Sequence, residues 1–392
     1  MSLRLGPYPS STAFRAGFAL LFLIVFLPAL LGCQAPYILK SAWSQADLLT
    51  SRKSIETILA ETPETAHPAA SPLPTEDREK LKLARDAKAF GERVLGLKKT
   101  KNYDTFVQLD RPYVSYVVSA SAQDRLEQHL WKFPIIGAVP YKGYFDPGDA
   151  EKEELSLKEK GLDTYLRGVS AYSTLGWFND PVLSSMLRYS DYDLVNTIIH
   201  ESVHATLYIK SQADFNERLA TYIGNIGADL FFLEREGPSS ATVKAAKQIN
   251  QDEALFSAFI STEIDALKRW YEENAIPGAS AVSQAPFLER RLARLGQISE
   301  NFETELRPKL KNERYARYLS SELKPERLNN ARLLAWRLYI YDLSDFETLF
   351  ESLQRDPMKL IEFAKALEKE KDPEAKLKER VQEIRNTTKT TP

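Results

Sequence analysis

An α+β protein is expected from three features of the 392-residue chain. Residues 103–145 contain runs rich in aromatic and β-branched residues, set between turn formers, which read as strands. From about Ser240 onward the apolar residues recur at helical spacing. No internal repeat and no glycine-rich phosphate loop breaks this order. The expected architecture is therefore a mixed β-sheet region holding a helix with an H-E-x-x-H motif, followed by a large helical C-terminal region. Hydrophobic content of 43% and charged content of 27% are ordinary for a globular chain. A net charge of −2 leaves no basic footprint, so a nucleic-acid partner is not expected.

The N-terminus carries its own signal. Arg4 and Arg15 precede the apolar run "AGFALLFLIVFLPALLG", which ends at Cys33. That run falls short of the roughly 20 residues of a membrane-spanning helix and fits a secretory signal. Cys33 is the only cysteine, which excludes an intrachain disulfide and a cysteine-based metal site. The "LLGC" sequence resembles the lipobox of bacterial lipoproteins, so residues 1–33 are expected to be a lipoprotein signal and Cys33 a lipidated membrane anchor. Gln34 follows, not aspartate; by resemblance to Gram-negative lipoproteins this implies the outer membrane, with the protein facing the periplasm.

Residues 34–75 then read as an N-terminal helix over "YILKSAWSQADLLTSRKSIETILA" and a proline-rich linker. Thr75 is expected to cap a helix over "EDREKLKLARDAKAFGERVLGL". The runs "YDTFVQL", "YVSYVVSAS" and "KFPIIGAVPYKGYF" read as strands, "DAEKEELSLKEKG" as a helix and "LDTYLRGVSAYSTLGWF" as one strand or two. "DPVLSSML" leads into the helix with the histidines. Residues 76–239 thus form the α+β region and 240–392 the helical one, with a charged tail after Asp372 expected to fray.

The chemistry concentrates in "IIHESVHATLYIKSQADFNERLATYIG". His200 and His204 stand four residues apart, so on a helix both can offer ring nitrogens to one ion. Glu201 lies about 100° further round, where a general base for the attacking water is wanted. A catalytic metal site needs a third protein ligand, and Glu217 is the candidate if a second helix starts near Asp214 and folds back on the first. The rival reading makes Asp214 and Glu217 a capping box that serves only the helix start.

"HESVH" followed by "NERLA" resembles the gluzincin metallopeptidases, whose third ligand is a glutamate preceded by asparagine on the next helix. Only 12 residues separate His204 from Glu217. This short gap is similar to that of the predicted lipoprotein aminopeptidases of bacteria. The likeness extends to "LLGCQ", "PYKGYFD", "AYSTLGWFNDPVLS" and "NNARL", and covers the chain from Cys33 to about Phe350. It implies one zinc ion held by His200, His204 and Glu217, with Glu201 as catalytic base. It also implies an aminopeptidase of the cell envelope that hydrolyses peptides.

Other residues have competing readings. Tyr172 and Tyr339 are candidate hydrogen-bond donors to a tetrahedral oxyanion, or core tyrosines. The segment "VSAYSTLGWF" could pair with an extended peptide at a sheet edge, or be a core strand. Asn329 and Asn330 read as helix caps. His67 and His129 have no ligand spacing and read as surface residues. Two other functions fit the sequence. One is an endopeptidase acting on unfolded or misassembled envelope proteins, and the other a non-catalytic helical scaffold lipoprotein.

Overall fold

The computed structural model describes residues 35–61, 73–133, 137–171, 179–274, 281–337 and 342–390. Cys33, the signal segment, His67, Tyr172 and Tyr339 lie outside them. The fold is α+β. The chain divides into two compact units. One holds α1 (Ala35–Thr50) and a hairpin of β4 (Trp131–Phe133) and β5 (Gly137–Val139). Within it the Tyr37 and Phe133 rings lie 6.0 Å apart.

The other unit holds every remaining described element. Its first sheet is mixed: β1 (Lys53–Ser54) pairs antiparallel with β2 (Thr105–Val107), which pairs parallel with β8 (Val182–Leu183). The second sheet is antiparallel, in the order β6 (Tyr141–Tyr144), β3 (Ser115–Ser121), β7 (Asp163–Val169). β7 is thus an edge strand among the described residues. α4 (Pro147–Glu159) connects β6 to β7, with Asp146 accepting from the Asp149 amide as its cap.

The expected first helix is two helices. α1 stops at Thr50, the chain extends through β1, and Ser54 caps the short α2 (Ile55–Ala60) by accepting from Thr57 N–H. Pairing of Lys53 with Phe106 draws this stretch into the sheet and overrides the helical spacing. In α3 (Thr75–Val94) the cap is Pro74, and Thr75 is the first helical residue. Pro74 has no N–H to lose there, and its extended backbone accepts from Arg78 N–H at 3.0 Å.

Long helices follow: α5 (Asp191–Thr206), α6 (Ala213–Glu236), α7 (Ala241–Asn274), and α8 (Ala281–Asn301) with a π-turn continuation to Leu306. α9 (Glu313–Glu322), α10 (Asn330–Arg337), α11 (Ser344–Ser352), α12 (Pro357–Ala366) and α13 (Pro373–Thr390) complete the chain. One apolar core runs through α7, α8, α9 and α10, with Ile260, Leu267, Ile298, Phe302 and Leu333 fully enclosed. The tail expected to fray is helical: Leu377 and Val381, one turn apart, are buried. Glu374 also pairs with Arg218 of α6. No helix among the described residues is long and apolar enough to cross a membrane.

A buried polar network ties the second sheet to the helical region. Asp163 of β7 accepts from the Asn330 amide at 2.8 Å and pairs with the Arg291 guanidinium. Arg291 donates to the Tyr271 hydroxyl, which donates to Asn330 Oδ1, each at 2.8 Å. Asn330 Nδ2 reaches the Ala122 carbonyl at 2.9 Å. Asn329 caps α10 as expected, accepting from Arg332 N–H. Asn330 instead joins three chain segments.

Candidate metal centre

α5 forms because Ser190 caps it, accepting from Asp193 N–H at 3.1 Å, with Asp191 and Asp193 at its positive end. Leu194, Val195, Ile198, Ile199 and Val203 form its buried face. Lys80 of α3 pins the start of the helix, donating to the Tyr189 carbonyl and pairing with Asp191, both at 2.6 Å. His200 and His204 therefore project from a rigid element.

The turn into α6 is short and well tied. Leu207 N–H returns to the Val203 carbonyl, and Ser211 adopts the left-handed conformation with φ 64°. Asn216, 1% exposed, closes the turn from both sides: its Oδ1 accepts from Ile209 N–H at 2.9 Å and its Nδ2 donates to the Ile209 carbonyl at 2.8 Å. Arg218 secures the same helical turn outward, donating to the Asp342 carbonyl and stacking on Phe346. Farther along, Gly224 and Gly227 let α6 lie close on α5. A Cβ at Gly224 would meet Asn196 Oδ1 at 3.0 Å, and one at Gly227 would meet Ile199 Cγ2 at 3.0 Å and Leu95 Cδ1 at 2.8 Å.

These constraints carry Glu217 to the histidines. His200 Nε2 and His204 Nε2 are 3.2 Å apart; Glu217 Oε2 lies 3.5 Å from the first and Oε1 3.3 Å from the second. Four-coordinate binding with bonds of about 2.0–2.1 Å requires ligand–ligand edges of about 3.3–3.4 Å, near the spacing of the two Nε2 atoms and of each from the carboxylate oxygen that faces it. The three can hold a metal ion. The imidazole planes stand 82° apart, which aims both Nε2 atoms inward without stacking the rings. The His204 side chain is 3% exposed and that of Glu217 42%, so the group is enclosed on the α5 side and open on the other. Burial works against the Glu217 carboxylate, but its bonds to His200 and His204 outweigh this and hold its pKa down at about 2.

Gln212, not Asp214, precedes the first turn of α6, and it contributes no side-chain cap. The capping box at Asp214 is not formed, and Glu217 faces the imidazoles.

Glu201 has a buried carboxylate oxygen, Oε2. Two tyrosines absent from the sequence expectations sense its charge. Tyr103 is buried; desolvation raises its hydroxyl pKa, and Glu201 and Asp180 add to the rise. Its backbone is left-handed, with φ 61°, and its N–H donates to the Asp180 carbonyl. Tyr189 lies just before α5; its pKa is raised first by burial, and the charges of Asp193 and Glu201 add to this. Neither tyrosine lies at a recognisable spacing from the motif, so only the fold brings them there. Tyr208, one turn beyond His204, packs against that ring at 6.1 Å. His129 is only partly exposed, and burial lowers its pKa.

A family model described as "Putative aminopeptidase" matches residues 36–379. The chain belongs to this family. The match spans α1 to α13 and includes both helices of the metal centre. No curated protein and no solved structure matches the chain. Membership in the aminopeptidase family implies a hydrolase with peptide substrates.

The contribution of the asparagine clamp to this aminopeptidase fold can be measured. Asn216→Ala removes both bonds to residue 209, which should cost about 1–3 kcal/mol and loosen the turn that delivers Glu217. Thermal unfolding and a metal titration are expected to show a lower Tm and weaker metal binding together. A lower Tm with unchanged metal affinity would limit Asn216 to stability.

Proposed function

We propose that this chain is a zinc-dependent peptidase of the bacterial cell envelope, an aminopeptidase of gluzincin type, anchored through lipidated Cys33 to the outer membrane and facing the periplasm. The observation that carries the catalytic part is the convergence of His200, His204 and Glu217, with the Nε2 atoms 3.2 Å apart and a carboxylate oxygen within 3.5 Å of each. Two imidazoles and one carboxylate suit zinc better than the hard cations, which prefer all-oxygen sites. The envelope assignment draws on the signal architecture that ends at Cys33.

When bound, zinc lowers the pKa of a water and polarises the scissile carbonyl. The protein's part is proton traffic and positioning. Glu201, on the turn between the two histidines and offset from them, takes the proton of the attacking water and returns it to the leaving amine. Tyr103 and Tyr189 lie near enough to Glu201 for its charge to raise their hydroxyl pKa values. Tyr172 and Tyr339 would serve as hydrogen-bond donors to the oxyanion. β7, at the sheet edge among the described residues, is the strand along which an extended substrate backbone would pair.

Metal analysis of the purified protein and of Glu217→Ala tests this reading. The parent chain should hold one zinc per chain and cleave peptides. The variant should lose metal affinity by at least about 10- to 100-fold, the usual loss even for a supporting residue. Stoichiometric zinc in Glu217→Ala would remove this glutamate from the ligand set.

A further inference from the structure

The two sides of α1 are the reverse of those in an ordinary amphipathic helix, which buries its apolar stripe. At about 100° per residue, Tyr37, Ser41, Ser44 and Leu48 fall on one side. All four are buried or half-buried, and the Tyr37 ring packs near Phe133 of β4. The inward side therefore carries two serines. Leu39, Ala42, Trp43 and Ala46 fall on the opposite side, and all four are exposed.

Leu39 is 66% exposed and Trp43 78%, the two most open large apolar side chains among the described residues. They stand four positions apart, so they are neighbours one turn apart on the helix surface. The only charged residues of α1, Lys40 and Asp47, lie at one margin of this face and are opposite in sign. A leucine and a tryptophan side by side in water are unfavourable until something apolar covers them.

Their place in the chain says what that is. Ala35, the first residue of α1, comes two positions after Cys33, the residue proposed to carry lipid. Two residues reach at most about 7 Å, so with Cys33 anchored α1 starts at the level of the lipid headgroups. From that start Leu39 lies about 6 Å along the helix axis and Trp43 about 12 Å. The headgroup layer is only about 5–8 Å deep on each side of the hydrocarbon, so an upright helix would lift Trp43 out of it. A helix lying along the surface keeps both side chains in contact, and tryptophan is a residue favoured at that depth.

We propose that Leu39 and Trp43 dock α1 flat on the bilayer surface, in the headgroup layer beside the lipid on Cys33. With no net charge on the helix, apolar contact supplies the attraction. One apolar pair binds weakly alone, but next to an anchor it meets the bilayer at high effective concentration. The docking fixes the angle at which the chain leaves the membrane. It rests on the lipid-anchor reading of Cys33, and the test keeps the two apart.

The full chain would be expressed with its own signal, purified, and reconstituted in vesicles of phosphatidylethanolamine and phosphatidylglycerol brominated near the headgroup. Intact mass reports whether Cys33 is acylated. Bromine quenches nearby tryptophan emission, and Trp43→Phe isolates the share of Trp43 among the five tryptophans. In the acylated parent chain, Trp43 emission should be blue-shifted and quenched several-fold more than the emission left in Trp43→Phe. Leu39→Gln should weaken that quenching with circular dichroism unchanged. Equal quenching of the parent chain and Trp43→Phe overturns the docking and leaves the anchor standing. So does Trp43 emission that follows protein concentration and not bromine, which assigns the face to a second copy. A chain without acyl mass sinks the anchor reading; Trp43 quenching on added vesicles then still supports the docking face, and its absence overturns it.

Discussion

Glu201→Gln should abolish most peptide turnover while leaving the fold and the metal in place. A glutamine amide has nearly the shape of the glutamate but cannot take up a proton near neutral pH. General acid–base groups typically contribute 10²–10⁴-fold, so kcat should fall by about that range with KM little changed. Steady-state kinetics, metal content and thermal unfolding on the same preparation check all three statements. Turnover within tenfold of the parent chain would move the base elsewhere, with Tyr103 and Tyr189 the next groups to test. A fall in metal content alongside the loss would mean that Glu201 helps to shape the site and does not act as a base alone.

The largest effect on stability is expected at Asp163. Its carboxylate is 7% exposed and its partner Arg291 4%. Burial raises the Asp163 pKa, and the charge of Arg291 opposes the rise. Asp163→Asn keeps the shape but leaves a guanidinium buried and uncompensated, which costs about 3–5 kcal/mol. That is a large part of the 5–15 kcal/mol that holds a typical domain together. Urea unfolding should show the loss, and Asp163→Asn with Arg291→Met should recover part of it by removing the stranded charge. Equal instability of the single and double variants would locate the cost in the Asn330 amide, which also bonds Asp163.

Much of the site could be read from the chain because its signals are local. H-E-x-x-H states its own geometry once a helix is assumed, and "LVNTIIHESVHATLYI" is strongly helical in pattern. Strands and long helices were legible for the same reason, since alternation and helical spacing act over a few residues. What decided Glu217 was the path of the turn before it. Ser211 in the left-handed region and the two-sided bond of Asn216 to residue 209 are set by packing, and no spacing rule states them. Asn216 stood in the quoted motif, but its role as a clamp needs the fold. Tyr103 and Tyr189 were invisible because no spacing rule links them to the motif: Tyr103 is almost 100 positions from Glu201, with strands β2 to β8 and helix α4 between them. The break at Ser51 was missed because pairing with β2 outweighs local helical preference. After Asp372, Leu377 and Val381 find a buried surface that composition alone cannot announce.

The compactness of the α5–α6 turn has a consequence for how metal and folding are linked. All three residues that can hold the ion come from one short stretch, with 12 residues between the last two. A bridge across so small a loop removes little entropy from the unfolded chain. The unfolded chain also keeps the three donors near one another, so it retains some affinity and weakens the mass-action stabilisation of the folded form. Stripping the metal should therefore silence the protein without melting it, and the empty chain should take up zinc again in a fold already made. The scaffold would then persist when metal is scarce, and metal would govern the protein's activity but not its survival.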